Sequence, residues 1–329
     1  MTAVPHVLVM GAGSVGCHVG GCLQLAGATV DFVGRPRVIG DLHARGLRLT
    51  DRDGRDQRLS PSVLRLHLQV PSDLQPDLVL LCVKSGATED AARELARELP
   101  AGTPVLSLQN GLNNAVKAAG VAQTLTWLAG MVPFNIAELE PGHFHRGTDG
   151  RLAAQNHACL QALSNLFERA ALPLDLHADL RPVQLGKLLL NLNNPVNALS
   201  GLPLRAQLLS SKHRRQLADL MREALDLMRL DGTEPARLTP LPWDVLIAVL
   251  RLPTPLFRLV ASRMLKIDPK ARSSMADDLA TGRPTEIDAL SGEIVRLASR
   301  LGRTAPLNMN MVAHVRALES APTSPPSSH

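Results

Sequence analysis

Three glycines, three basic residues and several amides in this 329-residue chain have types and spacings that could do chemistry. Gly11, Gly13 and Gly16 stand in the run GAGSVG, between an apolar run (HVLVM) and a helical pattern that opens at Ser14. In that context Gly11 permits a tight turn and Gly13 lets backbone N–H groups approach a pyrophosphate. Gly16 lets helix and strand pack closely, and the helix N-terminus favours the anion. The expected ligand is a dinucleotide. Its type is read at the end of the second strand, where Gly34-Arg35-Pro36-Arg37 offers a guanidinium rather than an acid. Arg35 suits a 2′-phosphate, so NADP(H) is expected over NAD(H). Asp31 is acidic but lies within the strand and is discounted. Two further strand ends carry polar residues where open α/β sheets bind ligands: Lys84-Ser85 after DLVLLCV and Gln109-Asn110-Gly111 after TPVLSL.

A second group lies further along. Lys187 opens KLLLNLNNPVNALSG, and Lys187, Asn191 and Asn194 stand at i, i+4 and i+7. That spacing puts them on one helix face, with leucines on the others. A polar stripe in so apolar a helix reads as a cleft lining; the alternative is a helix cap with inter-domain hydrogen bonds. Pro195 is expected to kink or end the helix. In SSMADDLATGRPTEID, Ser273 and Ser274 read as N-caps. Pro284 fits a first helical turn with Glu286 just after it, a place the helix dipole alone favours for an acid.

The elements that must position these residues change character along the chain. His6–Met10, Ala28–Val33, Asp77–Val83 and Thr103–Leu108 read as strands, alternating with helices over Ser14–Ala26 and Thr88–Leu99, and a small hairpin is expected within Arg48–Val70. This alternation predicts an α/β, Rossmann-type doubly wound sheet. From about Leu180 the pattern is helical: Asp179–Leu190, Ser211–Leu230, Trp243–Leu265, Ser274–Leu279 and Pro284–Leu301. The expected domains are a dinucleotide-binding domain over residues 1–178, an all-α domain over 179–319 and a disordered tail over 320–329.

Composition excludes several classes. There is no Tyr, so no mechanism with a tyrosine acid applies. Five Phe and two Trp leave little for base stacking, and a net charge of +5 spread along the chain suits small anions better than nucleic acid. Cys17, Cys22, Cys82 and Cys159 form no zinc-spaced cluster and read as small hydrophobes where the sequence is apolar. No apolar run reaches the roughly 18 residues of a membrane span. No metal, membrane or nucleic-acid partner is expected, the expected location is cytoplasmic, and a homodimer is left open.

Taken together, GAGSVG, the Gly-Arg after the second strand, VKS at Val83–Ser85, LQNG at Leu108–Gly111, KLLLN at Lys187–Asn191, SSM…GRPTEID at Ser273–Asp288 and G-x-x-x-P-x-N at Gly302–Asn308 resemble the 2-dehydropantoate 2-reductase (ketopantoate reductase) family. The resemblance covers most of the chain. It implies NADPH-dependent reduction of a 2-oxo acid, ketopantoate, to pantoate, by a Rossmann domain and a helical domain with the active site in the cleft. It assigns catalysis to Lys187 and Glu286, and substrate binding or site support to Asn110, Asn191 and Ser274. It places Gly11, Gly13, Ser14, Gly16, Arg35, Lys84 and Asn110 at the cofactor. An ammonium such as Lys187 polarises a ketone and gives a proton to the alkoxide formed from it. The family pattern K-x3-N-x3-N departs here: its last position is Pro195, and the amide falls one residue earlier at Asn194, with Asn197 as the other candidate. Leu208–Lys270 also looks longer than in a minimal member. A reductase of another 2-oxo acid is therefore the alternative. A 3-hydroxy acid dehydrogenase is disfavoured by LQNG and the TEID segment, and a non-catalytic NADPH-binding regulator by the presence of both Lys187 and Glu286.

Overall fold

The computed structural model describes residues 4–262, 265 and 271–320. The chain divides into two compact units, residues 1–180 and 181–329.

The first unit contains twelve strands among its described residues: β1 (His6–Met10), β2 (Thr29–Val33), β3 (Leu47–Asp51), β4 (Asp56–Leu59), β5 (Arg65–His67), β6 (Leu78–Leu81), β7 (Pro104–Ser107), β8 (Thr126–Met131), β9 (Ile136–Glu140), β10 (His143–Arg146), β11 (Leu152–Gln155) and β12 (Leu174–His177). Eight of them form one sheet in the order β12-β11-β8-β7-β6-β1-β2-β5. All its pairs are parallel except β8 with β11. From β5 inward to β8 this is the 3-2-1-4-5-6 order of a doubly wound dinucleotide-binding fold.

The sheet is parallel because its central strands are apolar on both faces. Val7, Val9, Leu78 and Leu80 point into one core, and Leu8, Met10, Val79 and Leu81 into the other. Helices α1 (Ser14–Leu25), α2 (Pro36–Arg45), α3 (Thr88–Glu98), α4 (Asn114–Val121) and α5 (Ala158–Arg169) complete the unit. The hairpin expected within Arg48–Val70 is β3–β4, and it continues into a second sheet, β4-β3-β10-β9. The strands after Leu108 had no clear signature in the sequence; they are short and in part polar.

The described residues of the second unit are helical: α6 (Arg181–Asn191), α7 (Asn193–Ser200), α8 (Leu204–Leu209), α9 (Ser211–Leu230), α10 (Trp243–Arg251), α11 (Thr254–Val260), α12 (Ser274–Ala280), α13 (Ser291–Arg300) and α14 (Pro306–Ser320). Two expected helices are corrected. Trp243–Leu265 is divided into α10 and α11, because Leu252 before Pro253 is extended (φ −58°, ψ 149°). Pro284–Leu301 is not one helix: Pro284 and Glu286 precede a 3₁₀ turn at Ile287–Ala289, and α13 starts only at Ser291. Ser320 ends α14, so the tail expected from 320 reduces to residues 321–329, which lie outside the described residues. Among the described residues no helix is long and apolar enough to cross a membrane.

The divided helix exposes carbonyls that a buried arginine collects. Arg214 is fully buried, and its guanidinium donates to Leu208 O (2.9 Å), Leu250 O (3.2 Å) and Leu252 O (2.8 Å) while lying 4.2 Å from the centre of the Phe257 ring. It thereby closes the ends of α8 and α10. Arg214→Met removes the donors and strands buried acceptors, and urea denaturation is expected to show a loss of roughly 3–5 kcal/mol.

Candidate functional site

In the first unit, the site residues of the sequence reading sit at the carboxyl ends of strands. Past β1 the chain turns sharply: Gly11 has φ +109°, the amides of Gly11 and Ala12 donate to Val33 O (3.0 and 2.8 Å), and the Gly13 amide donates to Gly11 O (2.8 Å). A Cβ on Gly11 would lie 2.6 Å from Val83 N, and one on Gly16 would collide with Gly11 O and with Val9. A Cβ on Gly13 would meet nothing within 4 Å. Two of the three glycines are thus demanded by the protein's own packing. The third faces open space at the start of α1, where Ser14 is the first helical residue. That helix end has no capping side chain and no acid in its first turn. Free amides, the positive end of the dipole and a space clear of side chains are what a pyrophosphate needs, so these residues fit a dinucleotide.

At the end of β2, Gly34 N donates to His67 O (3.1 Å), and Arg35, exposed and extended, caps α2 by its backbone. Arg37 is committed elsewhere, to Asp41 (3.0 Å) and Glu138 (3.3 Å). Asp31, 2% exposed, is held by His6 and His67, each 2.6 Å from its carboxylate, with Arg65 at 3.9 Å. It is an internal partner of two imidazoles. At the end of β6, Lys84 is exposed and precedes a 3₁₀ turn, Ser85–Ala87. Asn110 follows β7 and is half-buried; its carbonyl accepts from Ser85 Oγ (3.1 Å). Thr88, Gln109 and Asn114 join these loops through a buried network; Gln109 belongs to the polar strand end singled out in the sequence, whereas Thr88 and Asn114 had no signal there beyond polarity near a motif.

In the second unit, Lys187 and Asn191 lie one turn apart on α6. Lys187 is half-buried, and desolvation pulls its ammonium from the usual lysine range down to about 8. The three-residue stripe on one helix is corrected. α6 ends at Asn191, Leu192 is a turn, and α7 starts at Asn193, so Asn194 stands on a separate helix. Pro195 causes this from downstream: it has no N–H for the carbonyl four residues back, Asn191, and its ring crowds that carbonyl. Asn197 is no substitute for the displaced amide. It is fully buried, donates from Nδ2 to Leu202 O (2.9 Å) and accepts from Ser273 N at Oδ1 (2.9 Å).

Ser273 caps α12, its Oγ accepting from Ala276 N (3.2 Å) and donating to Asn194 O (3.3 Å). Ser274 does not cap; it is the exposed first residue of α12. Glu286 is half-buried and stands at the N-cap of the 3₁₀ turn, not in the first turn of an α-helix. Its backbone is fixed instead by neighbours: Thr285 N donates to Glu319 Oε1 (2.7 Å), Ile287 N to Thr285 Oγ1 (3.3 Å) and Ala289 N to Glu286 O (2.9 Å). The Gly302–Asn308 motif is architectural. Gly302 has φ +63°, and the amides of Leu307 and Asn308 donate to the Glu223 carboxylate (3.0 and 2.9 Å), which caps α14. The cysteines are poor nucleophiles, since burial raises all four thiols, Cys22 to about 11 and Cys82 to about 12.

Comparison with known proteins gives consistent results over nearly the whole chain. The family model described as ketopantoate reductase PanE/ApbA matches residues 7–158, and its C-terminal counterpart matches residues 179–319. A 2-dehydropantoate 2-reductase from Halobacterium salinarum is 30% identical over 300 residues, 89% of this chain and 92% of the relative. One from Pyrococcus horikoshii is 26% identical, over 95% of this chain and 97% of its own. The crystal structure of a PanE/ApbA family ketopantoate reductase from Ralstonia eutropha superposes with a TM-score of 0.80 at 32% identity, covering 95% and 98% of the two chains. A D-mandelate dehydrogenase bound to NADH and anilino(oxo)acetate shares the fold, with a TM-score of 0.78 at 20% identity over 95% and 98% of the chains. This chain belongs to the ketopantoate reductase family.

Proposed function

We propose that the protein uses NADPH to reduce the C2 ketone of 2-dehydropantoate to pantoate, a step of pantothenate and coenzyme A biosynthesis. The observation that carries this reading is the half-buried Lys187, whose ammonium burial brings close to neutrality. Bound NADPH supplies a hydride. The first unit holds that cofactor by the amides of the first turn of α1, from Ser14 onward, across the open face of Gly13, and by Arg35 at the 2′-phosphate, with Lys84 and Asn110 toward the nicotinamide ribose. Lys187 polarises the ketone oxygen and then donates the proton that the forming alkoxide takes up, and Glu286 orients Lys187 and holds a substrate hydroxyl. Asn191 and Ser274 bind the substrate. A lysine near 8 suits this task better than one near 10.5, because its proton is more readily given while the charged form still predominates at pH 7.

One observation favours a second reading, reduction of a different branched 2-oxo acid. Asn194 is carried on α7 rather than on the Lys187 helix, and Asn197 has both ends of its amide engaged. The pattern's second amide position is held by Pro195, and the neighbouring Asn194 lies past the break at Leu192. NADPH oxidation against a panel of branched 2-oxo acids decides between the two. Turnover of ketopantoate above the other acids supports the first, and turnover of another acid without ketopantoate replaces it.

Four variants test the assignments. Gly13→Val is expected to keep the thermal midpoint and lose NADPH binding, whereas Gly16→Ala loses about 1–3 kcal/mol of stability because its Cβ has no room. Arg35→Ala is expected to weaken NADPH roughly 10–100-fold and NADH far less, as read by fluorescence titration. Lys187→Ala is expected to lower turnover about 10²–10⁴-fold with NADPH still bound. The wild-type kcat/KM, which needs the ammonium, falls as pH rises through about 8, and this limb is absent from the variant's profile.

A further inference from the structure

Four polar side chains around the ends of β6 and β7 are almost wholly buried: Thr88 (1% exposed), Ser107 (4%), Asn114 (5%) and Gln109 (8%). Their hydrogen bonds form one connected set. Gln109 accepts from Ser107 Oγ at Oε1 (3.0 Å) and donates from Nε2 to Val83 O (2.9 Å) and to Thr88 Oγ1 (2.8 Å). The Thr88 hydroxyl donates to Ser85 O (2.9 Å), with Asn114 Oδ1 at 3.3 Å. Asn114 donates from Nδ2 to Asn110 O (2.6 Å) and to Ser85 Oγ (3.3 Å). Ser85 Oγ donates in turn to Asn110 O (3.1 Å).

The donors are all engaged, the single Thr88 proton facing two acceptors, Ser85 O and Asn114 Oδ1. Both protons of each amide are used, and Asn110 O fills both of its acceptor positions. Burying such groups is tolerated only when they are paired, and a fully paired set rigidifies what it ties. What it ties is specific. Every backbone carbonyl it reaches, at Val83, Ser85 and Asn110, belongs to the two loops that carry Lys84 and Asn110. The strands do not need these bonds, since the pairing of β6 with β7 runs from Val79 to Leu81 against Val105 to Ser107. Neither does helix packing, which rests here on the apolar Ala92, Ala118 and Ala122. An apolar residue at 88 or 114 would serve packing alone.

We propose that Thr88 and Asn114 are positioning residues for the dinucleotide: acting through the backbone of Ser85 and Asn110, they lock the two loops in one register so that Lys84 and Asn110 meet the cofactor together. This rests on the cofactor reading above.

The test compares NADPH dissociation constants, by fluorescence titration, of the full-length wild type, Asn114→Ala, Thr88→Val and Thr88→Ser. Amide exchange over residues 84–88 and 109–112 is measured on the same proteins without cofactor. Asn114→Ala and Thr88→Val are expected to bind about tenfold more weakly and to exchange faster in both loops together. Thr88→Ser keeps the hydroxyl and is expected to behave as wild type. Should Asn114→Ala be unfolded, the Thr88 pair alone decides. Equal affinity of Thr88→Val and wild type, or equal weakening by Val and Ser, overturns the proposal. Failure of the wild type to bind NADPH overturns the cofactor reading and the proposal with it, an outcome distinct from a binding wild type with unchanged variants.

Discussion

A strand buried on both faces can present chemistry only at its ends. In the first unit, β1 and β6 have every residue but one at or below a few per cent exposure, because Val7 and Val9 face one core while Leu8 and Met10 face the other. The carboxyl ends of these strands are where the chain must turn, and the turns are where polar groups and free amides can meet a ligand. Gly11 makes the first of them, and its approach to the Val83 backbone leaves no room for a side chain. The start of α1, the Lys84 loop and the Asn110 loop all follow from that packing.

The second unit is governed by a related rule, that buried backbone groups need partners. Prolines cut its helices, and each cut releases carbonyls. Arg214 gathers the carbonyls ahead of Pro253 at the end of α10 together with Leu208 O at the end of α8, and the Ser273 hydroxyl donates to the Asn194 carbonyl on α7. Asn197 and Asn308 are spent in the same way, on Leu202 and Ser273 and on Glu223. Polar residues in an apolar helical unit are therefore mostly structural. Lys187 differs in that burial works against its charge and brings it near neutrality.

Much of this was legible in the residues. The glycine run with its strand and helix, the continuous apolar strands and the basic strand end each have a local cause, and each lies where it was expected. The hairpin at β3–β4 was legible from its turn residues, but the strands that join it into a sheet were not, since β10 pairs with β3 some ninety-five positions away and β9 joins only through β10. Glu286 was expected in a helix because Pro284 suits a first turn. The irregular segment before the 3₁₀ turn, where it stands instead, is held by Glu319 from α14, a partner no local pattern reveals.

The sequence by itself determined the class of fold and the family, because these depend on residue type and short spacing. Only the tertiary structure decided which amides remain for chemistry. Asn191 stays on the lysine helix, Asn194 falls on the next helix past a one-residue break ahead of Pro195, and Asn197, Asn114 and Gln109 are consumed by backbone carbonyls. An amide has the same composition whether it faces a ligand or a buried carbonyl. Which of the two it meets is set by contacts distant in sequence, and those exist only in the folded chain.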